Sequence, residues 1–191
     1  MEATRLKNRY YVLRHGQSEA NIRHLVVSAP ENGVDGYGLT KTGEEQVKAS
    51  VTGFSGLGPD TLIYSSDFKR ARETAQIAAG ILGVSAQITH TPMLRERFFG
   101  EFELGPDTCY PGVWEKDAKK TAPENRVEPV EEVLKRTLTC IGEIESAHRD
   151  RDILLVAHGD TLQILLTWFN GMPACRHRDV PHLDTAELRQ A

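Results

Sequence analysis

"YYVLRHGQSEAN", residues 10–21, runs from an apolar stretch straight into arginine, histidine and glycine. A second stretch, "ILLVAHG" at residues 153–159, ends in the same way. Arg9–Leu13 combines aromatic and β-branched residues and reads as a short strand. Ile153–Ala157 is uninterrupted apolar sequence, as expected of a strand covered on both faces. Each run precedes a polar turn. In an open α/β sheet, ligands bind beyond the carboxyl ends of the strands. Parallel pairing of these two strands would bring His15 and His158 together in that crevice. Gly16 and Gly159 are then expected to let a ligand approach the backbone closely. Helix N-termini nearby would offer N–H groups to an anion.

Outward from these strands, helix and strand patterns alternate. Thr42-Gly43-Glu44-Glu45 has the form of a capping box, with Val47, Val51 and Phe54 behind it at helical spacing. Gly56–Asp60 reads as a turn and Thr61–Tyr64 as a second strand. Ser65-Ser66-Asp67 supplies N-cap residues. Phe68, Ala71, Ala75, Ala78 and Leu82 then form one apolar helical face, closed by Gly83. Ala86–Thr89 fits a third strand, and residues 92–129 form the least regular part. A helix is expected over Pro129–Ala147, and another through Leu162, Leu165, Leu166 and Phe169. Alternation of this kind predicts α/β architecture with a mostly parallel sheet.

Composition narrows the function. The 191 residues suit one domain over 1–191, and the net charge of −4 argues against nucleic acid or a polybasic membrane surface as partner. A site for an anion must therefore be a local cluster of positive charge. No apolar run is long enough for a bilayer span or a secretory leader. Cys109, Cys140 and Cys175 are odd in number and widely spaced, which favours a reducing, cytoplasmic setting. Cys175, His177 and His182 cluster too weakly for a zinc site.

The helix opening "SSDFKRARETA" places Arg70 in its first turn, at the same sheet edge as Arg14. Guanidinium forks match phosphate oxygens. Two histidines and two arginines at one crevice point to a phosphoryl group attacked by an imidazole. The attacking ring must be neutral, a form that flanking arginines favour. "LRERFFGEFE", residues 94–103, offers Glu96, Glu101 and Glu103 as the acid for the leaving oxygen, and spacing does not choose among them. No cysteine-phosphatase loop or Walker sequence is present. Singly, each residue has a plainer reading: His15 ends a strand, His158 fills a core, Arg14, Arg70 and Glu96 are solvated charge, and Asn21 caps a turn. Their joint order favours chemistry.

"LRHGQSEAN", "SSDFKRARETA", "LRERFFGEFE" and "LLVAHGDTL" occur in an order that resembles the histidine phosphatase superfamily, in its phosphoglycerate-mutase-like branch. The resemblance implies a three-layer α/β/α sandwich and a phosphomonoester hydrolase working through a phosphohistidine. It implies His15 as nucleophile and Arg14, Arg70 and His158 as the phosphate pocket, beside which Gly159 is the substrate-binding position read from the strand ending. Asn21 matches a phosphate-binding position, and Glu96 matches the proton donor. No metal or organic cofactor is implied, and the substrate is a small phosphorylated molecule or a phosphoprotein. Mutase-type transfer is the alternative, and a non-catalytic phospho-ligand binder the second. The stretch between Glu96 and His158 is short beside that of the glycolytic mutases and shows no matching arginine pair. Gly105, Pro106, Pro111 and Gly112 suggest a loop that shapes the mouth of the crevice and leaves water some access.

Overall fold

The computed structural model describes residues 6–191. Five strands, β1 (Arg9–Arg14), β2 (Leu62–Ser66), β3 (Thr89–Thr91), β4 (Asp152–Ala157) and β5 (Leu188–Gln190), form one sheet in the order β3-β2-β4-β1-β5. All neighbours are parallel except β5, which runs antiparallel to β1. The α-helices are α1 (Glu19–Ile22), α2 (Pro30–Gly33), α3 (Lys41–Thr52), α4 (Lys69–Leu82), α5 (Tyr110–Ala118), α6 (Val130–Ala147) and α7 (Gly159–Phe169).

Side chains alternate across a strand, so each strand feeds two cores. Tyr11, Leu13, Ile63, Leu154 and Val156 pack against Val47 and Val51 of α3 and Ala71, Ala75 and Ala78 of α4. Tyr10, Val12, Ile153, Leu155 and Ala157 face the other way, onto Ile141 and Ile144 of α6 and Leu162 and Leu165 of α7. The result is the expected three-layer sandwich. Leu155 is fully buried, and truncating such a side chain to alanine costs about 2–5 kcal/mol.

Register places the chemistry. Arg14 pairs with Ala157, and the His15 N–H donates to the Ala157 carbonyl at 3.0 Å. The two central strands therefore end level, and His15 and His158 emerge side by side.

Several boundaries differ from the sequence pattern. The N-cap of α3 is Thr40, whose hydroxyl accepts from Gly43 N–H at 3.0 Å; Thr42 falls inside the first turn. Ser65 and Ser66 finish β2, and Phe68 stands at the cap of α4, its N–H donating to Ser66 Oγ at 3.2 Å. β3 lies three residues later than its sequence start suggested, and β5 is a short edge strand with no periodic signature. Residues 92–129 contain α5, with Pro111 in its first turn, where a missing N–H costs nothing.

Gly16 serves packing and not ligand approach. A Cβ there would lie 2.5 Å from the Gly43 carbonyl oxygen, and one on Gly43 would lie 2.0 Å from that of Gln17. The start of α3 thus presses directly on the turn after His15.

Candidate active site

His15 ends β1 almost fully buried, at 3% exposure. Its Nδ1 lies 2.8 Å from the Gly16 carbonyl. A carbonyl only accepts, so Nδ1 carries the hydrogen. Its Nε2 accepts from Arg70 Nε at 3.1 Å and so presents a lone pair. Burial first, then Arg70 and Arg14, push the imidazole well below its ordinary pKa of 6.5. The ring is neutral and oriented, the state a nucleophile needs.

Arg70 is equally buried, and its Nη2 donates to Val27 O at 2.9 Å. Burial lowers its pKa to about 10, which still leaves it charged at neutrality. Arg14 donates through Nη1 to Leu183 O at 2.6 Å. His158 ends β4 with its ring centre 5.1 Å from that of His15. Its Nε2 lies 2.9 Å from Ser66 Oγ. Ser66 Oγ already accepts from Phe68, so its own hydrogen is free to reach Nε2 and leave Nδ1 as the protonated nitrogen. Burial and Arg70 push this ring too well below 6.5.

Arg14 Nε, Arg70 Nη1 and His158 Nδ1 are buried without a partner among the described residues. Buried donors are nearly always paired, so three at one strand edge mark a place for acceptor oxygens. Gly159 lies against Arg14: a Cβ on it would stand 3.4 Å from Arg14 Cζ and Nε. That is ordinary contact, and Gly159 itself lines the cleft.

Geometry separates the three carboxylates that spacing left open. Glu101 is exposed. Glu103 is committed elsewhere, accepting from Ser28 N and Oγ at 2.8 and 2.6 Å and from Asn32 Nδ2 at 2.9 Å. Glu96 lines a cleft of about 580 Å³ together with Arg14, Phe99, Tyr110, Trp114 and Gly159. Part of its surface stays open to that cleft, while Oε1 accepts from Arg97 N–H at 2.9 Å and from Thr161 N–H at 3.3 Å, with the Thr161 hydroxyl 3.2 Å away and donating to Arg95 O at 2.8 Å. Burial, then the nearby Asp160, raise its pKa above the usual carboxylate value, against the pull of Arg70.

Asn21 stands apart from this cluster in its hydrogen bonding. Its Oδ1 accepts from Ser18 N–H and hydroxyl at 2.9 and 3.0 Å, closing a capping box on α1. The turn-capping reading is the one its oxygen fulfils. Cys175, His177 and His182 diverge: His177 is buried 3.9 Å from Asp160, and His182 lies 3.5 Å from Arg14. Among the described residues no group of three or more His, Cys, Asp or Glu is placed to hold a metal, and no helix is long and apolar enough to cross a membrane.

The roof of the cleft was not legible. Tyr110 and Trp114 of α5 stack 5.5 Å apart, and the Arg178 guanidinium lies 3.7 Å from the Trp114 ring centre on the cleft wall. Trp114 Nε1 donates to Asp160 at 2.9 and 3.1 Å. The aromatic pair at i, i+4 was the available signal for α5. Nothing local singled out Arg178.

The histidine phosphatase superfamily (branch 1) model matches residues 10–190. The chain belongs to that superfamily. It is 31% identical over 182 residues to a glucosyl-3-phosphoglycerate phosphatase of Mycolicibacterium vanbaalenii, covering 86% of this chain and 75% of that one. It is 27% identical over 186 residues to a 2,3-bisphosphoglycerate-dependent phosphoglycerate mutase of Cytophaga hutchinsonii, covering 92% and 82%. The crystal structure of the alpha-ribazole phosphatase from Shigella flexneri superposes with a TM-score of 0.74 at 25% identity, over 94% of this chain and 88% of that one. The protein is a phosphatase of this superfamily.

Proposed function

We propose that the protein hydrolyses a small phosphomonoester through a phosphohistidine on His15. The observation that carries this is the His15 Nε2 lone pair, held by Arg70 beside three unpartnered buried donors. The phosphoryl oxygens take those donors: Arg14 Nε, Arg70 Nη1 and His158 Nδ1. His15 Nε2 releases its hydrogen bond from Arg70 Nε, and the freed lone pair forms a bond to phosphorus as the bond to the leaving oxygen breaks. Glu96 gives its proton to that oxygen. The Gly16 carbonyl, accepting from Nδ1, stabilises the positive charge that the ring acquires. Water then attacks phosphorus, Glu96 takes its proton, and the P–N bond breaks to release inorganic phosphate. Preorganised donors of this kind act more strongly on the charge of the transition state than on the substrate.

Hydrolysis is favoured over mutase transfer by the state of the cleft arginines. The open loop expected from Pro111 and Gly112 is instead the start of α5, so water access does not rest on it. Arg178 is paired, 4.0 Å from Asp160 and donating to Gln163 Oε1, and is no free half of a substrate clamp. Free cysteines, two buried and one half-buried, suit a reducing cytoplasmic setting. The test supplies 3-phosphoglycerate with catalytic 2,3-bisphosphoglycerate and follows products by phosphorus NMR. Inorganic phosphate is the expected product; conversion to 2-phosphoglycerate with little free phosphate would overturn the hydrolase reading.

A further inference from the structure

Asp160 takes no part in these steps, yet it stands where the cleft's parts meet. It is the second residue of α7, lines the cleft and is 5% exposed. Its carboxylate accepts from Trp114 Nε1 and, at 3.4 Å, from Arg97 Nη1. Arg178 and His177 lie 4.0 and 3.9 Å away. The adjoining residue, Thr161, gives its N–H to Glu96 Oε1 at 3.3 Å, while its hydroxyl, 3.2 Å from the same oxygen, donates to Arg95 O at 2.8 Å. Arg97 makes the same bridge from the other side, its backbone on Glu96 and its guanidinium on Asp160. One helical turn thus holds Glu96 and sets a second buried carboxylate beside it.

We infer that Asp160 is a positioning residue whose fixed negative charge keeps Glu96 in its acid form until the leaving oxygen needs the proton. The inference rests on Glu96 being the proton donor. Two carboxylates in one buried wall resist joint ionisation, and the charge settles where donors are stronger. Asp160 has the indole N–H, Arg97 and Arg178. Every donor named on Glu96 goes to one oxygen, leaving Oε2 for the proton.

The remaining charges leave this division intact. Arg70 and Arg14 draw Glu96 toward ionisation. Tyr110 faces both carboxylates as a neutral phenol, its pKa driven upward by burial and then by Glu96 and Asp160. Around Asp160, the Arg97 guanidinium is divided between two carboxylates, with hydrogen bonds of 2.6 and 2.9 Å to Asp117 and the longer one of 3.4 Å to Asp160. His177 is lowered by burial and stays neutral, and the half-buried Cys109 thiol is raised by burial.

The experiment measures kcat/KM against pH for an alkyl phosphate and for p-nitrophenyl phosphate. In Asp160→Asn the basic limb with the alkyl phosphate should move down by about one pH unit, the scale on which a neighbouring charge moves a pKa. The sign follows from losing the like charge: Glu96 ionises more easily, so its acid form runs out at lower pH. The p-nitrophenyl phosphate profile should hardly move, since its leaving group needs little protonation. Trp114→Phe removes the indole donor and leaves the carboxylate beside Arg97 and Arg178; KM should rise and the limb should move much less than in Asp160→Asn. An unmoved limb in Asp160→Asn, or the same downward shift in Trp114→Phe, would overturn the inference. Glu96→Gln is the separate check: equal losses on both substrates would remove the donor role and the inference with it. A leaving-group-selective loss there, with Asp160→Asn unmoved, would overturn the inference alone. Should Asp160→Asn fail to fold, carbon-13 carboxyl titration of the native protein decides. A Glu96 midpoint above the ordinary carboxylate range is expected, and one within or below that range would contradict it.

Discussion

His15 and His158 come from matching strand-His-Gly endings on paired strands, yet the chain ties down opposite ring nitrogens. His15 is held at Nδ1 by the Gly16 carbonyl and shows Nε2 as a lone pair. His158 is held at Nε2 by Ser66 and keeps Nδ1 without a partner. Both are buried and neutral, so neither burial nor charge separates them. In the proposed mechanism, the nitrogen that each ring has tied down decides whether the other attacks phosphorus or donates to a phosphoryl oxygen.

The largest effect that would break this comparison is at the attacking ring. His15→Ala should lower turnover by about 10⁴-fold or more, since the covalent route is gone. His158→Ala should cost less, about 10²–10³-fold in kcat, the scale for one oxyanion donor. Equal losses, measured by steady-state kinetics on p-nitrophenyl phosphate, would erase the distinction. Arg70→Lys should also lose about 10²-fold, because a point charge cannot both hold His15 Nε2 and reach the phosphate. Near-native kinetics would count against that geometry. Ser66→Ala sharpens the comparison at smaller cost. It frees the His158 ring and should lower kcat about tenfold, the effect of losing roughly 1.4 kcal/mol of positioning, with melting temperature as a check on the fold. The smallest effect is on pH. Arg14 disfavours the imidazolium of His15, so Arg14→Gln should move the acidic limb of kcat/KM upward from a native position well below 6.5. A downward shift would reverse the assigned sign.

The floor of the site was legible because its signals are local. Strand endings, the helix opening at Arg70 and the alternation of elements are all periodic within short windows, and strand register then brought their ends level. The roof was not. Pro111 and Gly112 disguised the start of α5, although proline is at home in a first helical turn. Arg178 and His182 reach the cleft only through the fold of the C-terminal segment, and no pattern near them shows it. Glu96 lay between: spacing offered three carboxylates, the resemblance picked one, and the structure shows Glu103 already bound to Ser28 and Asn32. Asn21 caps α1 through its oxygen, which does not bear on the phosphate-binding position that the resemblance gives it.

The most direct test is the chemistry of the trapped intermediate. Native enzyme should be mixed rapidly with substrate, quenched in base, and the phosphoenzyme mapped by mass spectrometry and phosphorus NMR. The expected species is a phosphate on Nε2 of His15, acid-labile and base-stable. Phosphate on Nδ1, on His158 or on another residue, or turnover with no phosphoenzyme at all, would contradict it.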